Sequence, residues 1–155
     1  MENVDSPMRW VLMMVDGQTY ALPLAAVDRI LRMVEVTPLP GAPDVVEGVI
    51  NIQGEVVPVV SIRRRLGFTH RRVEISDSLV VAHARNRRLA VIAESVLGVV
   101  ERSSDDWVSA SVIAHGNRYI EGLLKTGDGL VLIPDLGKFF SFEEESALEQ
   151  AMENV

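Results

Sequence analysis

Three histidines, His70, His83 and His115, are the side chains best suited to proton transfer or metal binding near neutral pH. They stand far apart, and no His-Glu-x-x-His spacing brings two of them to one helix face. His83 lies in an apolar run and reads as a strand residue rather than a ligand. With no cysteine, the chain has no thiol nucleophile, thiolate metal site or disulfide. Neither a Gly-x-Ser-x-Gly elbow nor a phosphate loop is present, and Gly127-Asp128-Gly129 lacks the lysine and helix that phosphate binding needs. Asp105-Asp106 and the run Glu143 to Glu145 are not spaced like a calcium loop and read as solvated charge. Basic residues gather at Arg63-Arg64-Arg65 with Arg71-Arg72, and again at Arg85, Arg87 and Arg88. No aromatic residues interleave them, so they read first as solvated surface and second as a contact for an acidic partner. No nucleophile or general base can be nominated, so no enzyme is expected, and no cofactor or metal.

The bulk properties narrow the classes further. At 155 residues the chain suits one domain (1–155), or two small subdomains with a common core. Apolar residues make up 48% and aromatics only 5%, so Val, Leu, Ile and Ala must fill the interior. A net charge of −7 argues against general nucleic-acid binding, which needs a basic footprint. The opening MENVDSPMRW has no basic-then-apolar leader pattern, and no apolar run approaches the roughly 18 residues of a membrane helix. The expectation is a cytoplasmic protein without direct membrane insertion.

Short, β-branched apolar runs between turn residues predict strands at about 10–15, 19–22, 27–34, 46–52, 55–62, 79–84, 89–93, 96–100, 119–126 and 130–134. Asp16-Gly17, Asn86-Arg87 and Gly127-Asp128-Gly129 mark hairpin turns. Pro38-Leu39-Pro40-Gly41-Ala42-Pro43 is a rigid loop. Pro58 donates no backbone hydrogen bond, which predicts an edge or bulged strand around it. Only the tail reads as a helix, over 141–153. Ser141 to Glu144 has the form of a capping box, and Ala147, Leu148, Ala151 and Met152 share one face, expected to pack back on the strands.

Two stretches repeat. EGVINIQGEVVPVVSIRRRLGF, from Glu47, aligns without a gap on EGLLKTGDGLVLIPDLGKFFSF, from Glu121, at an offset of 74 positions. YALPLAAVDRIL aligns on LAVIAESVLGVV at an offset of 69, matching Ala21 with Ala90 and Val27 with Val96. So many short strands in duplicate predict an all-β fold of two small tandem barrels, neither robust alone. The expected subdomains are about 16–77, and about 78–140 together with strand 9–15.

The repeated stretch resembles the signature of the chemotaxis coupling protein family CheW, whose members carry a GVINLRG…IPVVDL motif. LAVIAESVLGVV and EGLLKTGDGLVLIPDLGKFF resemble later landmarks of that family, and together they span roughly Arg9 to Phe140. The resemblance implies two interlocked SH3-like barrels. It also implies a non-catalytic adaptor that joins chemoreceptor cytoplasmic tips to the histidine kinase CheA, in membrane-associated arrays. Matched motif to motif, the receptor groove falls at Ile30, Val34, Gly48, Gln53, Val96, Gly98 and Val99, with the glycines allowing a helix to approach. The kinase surface falls at Asp28, Arg29 and Pro40. Gln53 stands where the family usually has arginine, Ser61 where aspartate is common, and Arg29 where an acidic residue is common. Those departures leave open a specialised receptor–kinase cluster in place of the main chemotaxis array. A regulatory module detached from a larger protein and a small-molecule-binding barrel or hydrolase are the remaining alternatives.

Overall fold

The computed structural model describes residues 7–85, 87–109, 118–127 and 129–155. Asn86, Asp128 and His115 lie outside the described residues. In chain order the strands are β1 (Met8–Val15), β2 (Gln18–Pro23), β3 (Val27–Arg32), β4 (Val46–Ile52), β5 (Glu55–Val60), β6 (Ser78–Ala84), β7 (Arg87–Ala93), β8 (Ser95–Arg102), β9 (Trp107–Ser109), β10 (Ile120–Thr126) and β11 (Gly129–Pro134). Two helices complete the set, α1 (Ile62–Leu66) and α2 (Phe142–Glu153). The fold is all-β with a C-terminal helix. Ser141 caps α2 as anticipated, accepting from the Glu144 N–H while Glu144 reaches back to the Ser141 N–H. Leu148 and Ala151 are its buried face.

Two elements depart from the sequence expectation. The run expected as strand through Ile62 stops at Val60, because the Ser61 hydroxyl accepts from the Arg64 N–H and starts α1. Gly67, at φ +80°, then closes that helix in the left-handed conformation. The other is β9, three residues long and too short to display a period.

One sheet runs β8-β1-β2-β11-β10-β9 and the other β3-β6-β7-β5-β4, giving the two SH3-like barrels. The sheets do not divide at residue 77. The early strand β2 belongs with β8 to β11, while β6 and β7 join β3 to β5. Hydrogen bonding across the midpoint, invisible in linear order, sets that division.

The duplication is written into the register. Hairpin β4–β5 pairs Ile50 with Val57 and Asn51 with Val56. Hairpin β10–β11 pairs Leu124 with Val131 and Lys125 with Leu130, the same rungs moved by 74. Hairpins β1–β2 and β6–β7 obey the offset of 69 equally, Leu12 with Ala21 becoming Val81 with Ala90. The copies exchange partners through two antiparallel ladders, β1–β8 and β3–β6, and through two short parallel ones. The first-copy hairpin lies beside second-copy β7 (Val59 with Ala90), and the second-copy hairpin beside first-copy β2 (Leu132 with Tyr20). This exchange interlocks the barrels.

Pro58 proves compatible with an interior strand. Across the ladder from it, Val49 uses both backbone groups on Thr37, at 2.8 and 2.9 Å. The Pro58 nitrogen therefore faces β7, where pairing begins only at Val59. The expected edge strand is corrected: β5 lies between β7 and β4.

The main core lies between the sheets and includes Met13, Tyr20, Leu22, Val60, Val80, Leu89, Val91 and Phe139, closed by Leu148 of α2. Each barrel adds a smaller interior of its own. A buried Val, Leu or Phe side chain contributes about 1.5–3 kcal/mol, against about 0–1 kcal/mol for an exposed ion pair, so this apolar burial dominates stability.

The three arginines of α1 are not free surface, as the sequence reading had them. Arg63 pairs with Asp16 and Glu94, Arg64 with Glu47, and Arg65 with Glu144. They tie α1 to the first hairpin turn, to the β7–β8 junction, to β4 and to α2. Burial pushes the Glu94 carboxyl up, but the Asp16 N–H and the Arg63 guanidinium outweigh it and hold it below the usual range. Glu144 is held low in the same manner by Arg65 and by the Ser141 cap.

Two predictions follow from these contacts. A methyl group on Gly48 would stand 2.3 Å from the Thr37 carbonyl oxygen, and one on its counterpart Gly122 would stand 2.5 Å from that of Val108. Gly48→Ala and Gly122→Ala should each lower the urea-unfolding free energy by about 3 kcal/mol or more. Gly98→Ala, in open space, should cost only its left-handed strain, about 1–3 kcal/mol. Groups with lowered folded pKa stabilise above their unfolded value of 4.5 and lose that contribution as pH falls through the folded one. Stability should therefore decline below pH about 4.5, and less steeply in Glu94→Gln, as measured by urea titration at each pH.

Candidate docking site

The adaptor expected from the sequence needs surface that its own fold leaves unpaired. Of the four edge strands, β4 is bridged by Thr37 and β9 is three residues long, so β3 and β8 are the longer open edges among the described residues. The two are counterparts. β3 pairs Ile30 with Val80 and Arg29 with Val81, while β8 pairs Val99 with Val11 and Gly98 with Leu12. Each carries a bulge at the matching place, after Val27 and after Val96. A bulge breaks the in-out alternation of a strand. On β8 the result is three successive exposed residues, Leu97, Gly98 and Val99.

The expected groove residues fall into several places. Val99 is 52% exposed and Ile30 45%, on equivalent strands, and Val34 is exposed just past β3. Gly98, at φ +125°, has no atom within 4 Å of where a side chain would start, so backbone is open to a close approach there. Val96, by contrast, packs against the main core. Gly48 is buried, and the space a side chain would need is filled by Thr37 and Val36. It gives close approach to the chain's own backbone rather than to a partner helix. Gln53 is exposed at the tip of the β4–β5 turn, with φ +51° followed by Gly54 at +93°. The turn is pinned by the Asn51 side chain, which accepts from the Gly54 N–H at 2.7 Å.

Among the residues expected to face the kinase, Asp28 is already engaged, ion-paired with Arg88 at 3.0 Å and in contact with His83. Arg88 also reaches Glu55 at 2.9 Å. Arg29 and Arg32 are exposed and have no ion pair among the described residues. Pro40 is exposed within the proline loop. Leu97, 51% exposed, is the residue that sequence reasoning passed over. Its signal was Gly98, since a glycine inside a strand marks a bulge.

This arrangement offers apolar edge and open backbone rather than acid–base machinery. Among the described residues no group of three His, Asp or Glu side chains could hold a metal ion. No helix of the described residues is long and apolar enough to cross a membrane.

Comparison with known proteins gives a consistent family. The CheW-like domain model matches residues 9–144. The chemotaxis protein CheW of Treponema pallidum is 25% identical over 146 residues, covering 90% of this chain and 86% of the relative. That of Thermotoga maritima is 27% identical over 124 residues, covering 80% and 82%. The crystal structure of the scaffolding protein TtCheW from Thermoanaerobacter tengcongensis superposes with a TM-score of 0.81 at 22% identity, over 89% of this chain and 95% of that one. At that identity the likeness speaks for the fold.

A charge scan separates docking residues from packing residues. Val99→Glu should change stability by no more than about 0.5 kcal/mol. Val96→Glu should cost about 1–3 kcal/mol, because it pushes a carboxylate against the main core. Urea unfolding of the two variants beside the parent checks the contrast.

Proposed function

The chain belongs to the CheW-like domain family, and from that premise we propose that it is a non-catalytic adaptor coupling the helical signalling tip of chemoreceptors to the histidine kinase CheA. The observation that carries this reading is the pair of equivalent, bulged edge strands with exposed apolar residues, Ile30 on β3 and Leu97 to Val99 on β8. A receptor helix lies along Val99, Gly98 and Ile30, flanked by Val34 and Gln53, while Val96 and Gly48 hold the wall behind it. The kinase takes the neighbouring surface at Arg29 and Pro40, with Asp28 ordering the strand through Arg88. The protein works in the cytoplasm at receptor arrays, as one domain.

Arg29 favours one refinement. It is an exposed cation with no ion pair among the described residues, on a chain of net charge −7, so its kinase partner presents an acidic contact there. With glutamine at 53, this points to a specialised receptor–kinase cluster.

Co-sedimentation of CheA with a receptor signalling fragment, with and without this protein, tests the proposal. CheA should pellet with the receptor only when the protein is present. Val99→Glu should lose the receptor while retaining CheA, Arg29→Glu should do the reverse, and Gln53→Arg should alter receptor affinity at unchanged melting temperature. CheA pelleting equally well without the protein would refute the adaptor role.

A further inference from the structure

The two barrels share one interior pattern but differ in how they are closed. In the first, Ile50, Val57, Val59, Leu79, Val81 and Ala90 pack together. In the second, the residues at the same offsets, Leu124, Val131, Ile133, Trp10, Leu12 and Ala21, do likewise. The correspondence fails at one end. Met33 and Ile92 close the first interior, whereas their counterparts in the second are Arg102 and Pro23.

Both of those residues line a cleft of about 320 Å³ at the end of the second barrel. In the first barrel the counterparts of Glu121, Met8 and Pro23, which are Glu47, Asp77 and Ile92, line a pocket of only about 20 Å³, together with Arg71 and Val73. The carboxylates differ in parallel. Glu47 accepts from Arg64 and contacts His70, each at 3.1 Å. Its counterpart Glu121 lines the open cleft with no hydrogen bond or ion pair among the described residues. Burial and the charge of Asp135 push its carboxyl up, with Lys138 acting in the opposite sense. Arg102 turns to the Glu101 carbonyl at 2.7 Å.

We propose that this cleft binds a small organic ammonium compound, its apolar body against Trp10, Trp107 and Leu124 and its cationic head on Glu121. The size falls at the lower end of small-molecule sites, about 300–1,000 Å³. Indole rings attract a cation through their faces, and an unpaired carboxylate adds direction. The rim is apolar and accessible, Met8 being 51% and Trp107 39% exposed. The cleft includes β8 only at its last residue, Arg102, and none of Ile30, Leu97, Gly98 or Val99 lines it, so it is tested separately from the adaptor reading.

Isothermal titration with phenethylamine at neutral pH, and with 3-phenylpropionate as its anionic match, tests the proposal on the full chain. Phenethylamine should bind saturably, and 3-phenylpropionate at least fivefold more weakly. Glu121→Gln should weaken phenethylamine at least fivefold. Pro23→Ile with Arg102→Met, which restores the closure of the first barrel, should abolish binding and raise the melting temperature. If that double variant does not fold, Trp107→Ala should still weaken phenethylamine at least fivefold. The proposal is overturned by absent saturation, by equal binding of the anion, or by indifference to Glu121→Gln.

Discussion

The reciprocal parallel pairing is the constraint on which the molecule depends. Val59 beside Ala90 and Leu132 beside Tyr20 are few rungs, yet each joins strands from different copies of the repeat. Remove either ladder and one hairpin loses its sheet. The main core, with Tyr20 and Leu22 from one copy and Leu89 and Val91 from the other, exists only when both exchanges are made. Stability is thereby concentrated in contacts far apart in sequence, which makes folding cooperative and slow to nucleate.

Within that frame, the arginines of α1 act as fasteners rather than as bait for an acidic partner. A five-residue helix has almost no stability of its own. It persists because Ser61 and Gly67 cap it and because Arg63 and Arg65 reach different parts of the fold. The second copy keeps the same start, Asp135 accepting from the Lys138 N–H as Ser61 does from Arg64, but there only a short 3-10 turn follows before α2.

Hairpins, the helix cap and the duplication were legible because each rests on local rules: turn glycines, alternation, and a Ser-x-x-Glu box. What was hidden depends on distance or on interruption. The assignment of β2 to the later strands follows from the exchange, which no window of sequence contains. Pro58 misled because its tolerance comes from Thr37 taking the hydrogen bonds of Val49. Gly48 matched the family motif, but only the structure reveals that Thr37 and Val36 occupy the space beside it. Leu97 escaped because the motif match drew only Val96, Gly98 and Val99 toward the groove, while the bulge between Val96 and Gly98 leaves Leu97, Gly98 and Val99 exposed in succession. The duplicated barrels were therefore readable from the residues and their interlocking only through the family resemblance, whereas the candidate surface was readable only in part.

The exchange also has a consequence for ancestry. A single unfused copy, with one strand pair and one hairpin, could complete its ladders only by embracing an identical chain, a domain-swapped homodimer. The segment from Gly67 to Asp77, which joins α1 to β6, is the covalent stitch that turns such an encounter between two molecules into closure within one. Once stitched, the halves were released from identity. One end could be plugged while the other stayed hollow, and Ile30 and Val99 could keep their places while Arg29 and Gly98 diverged between them.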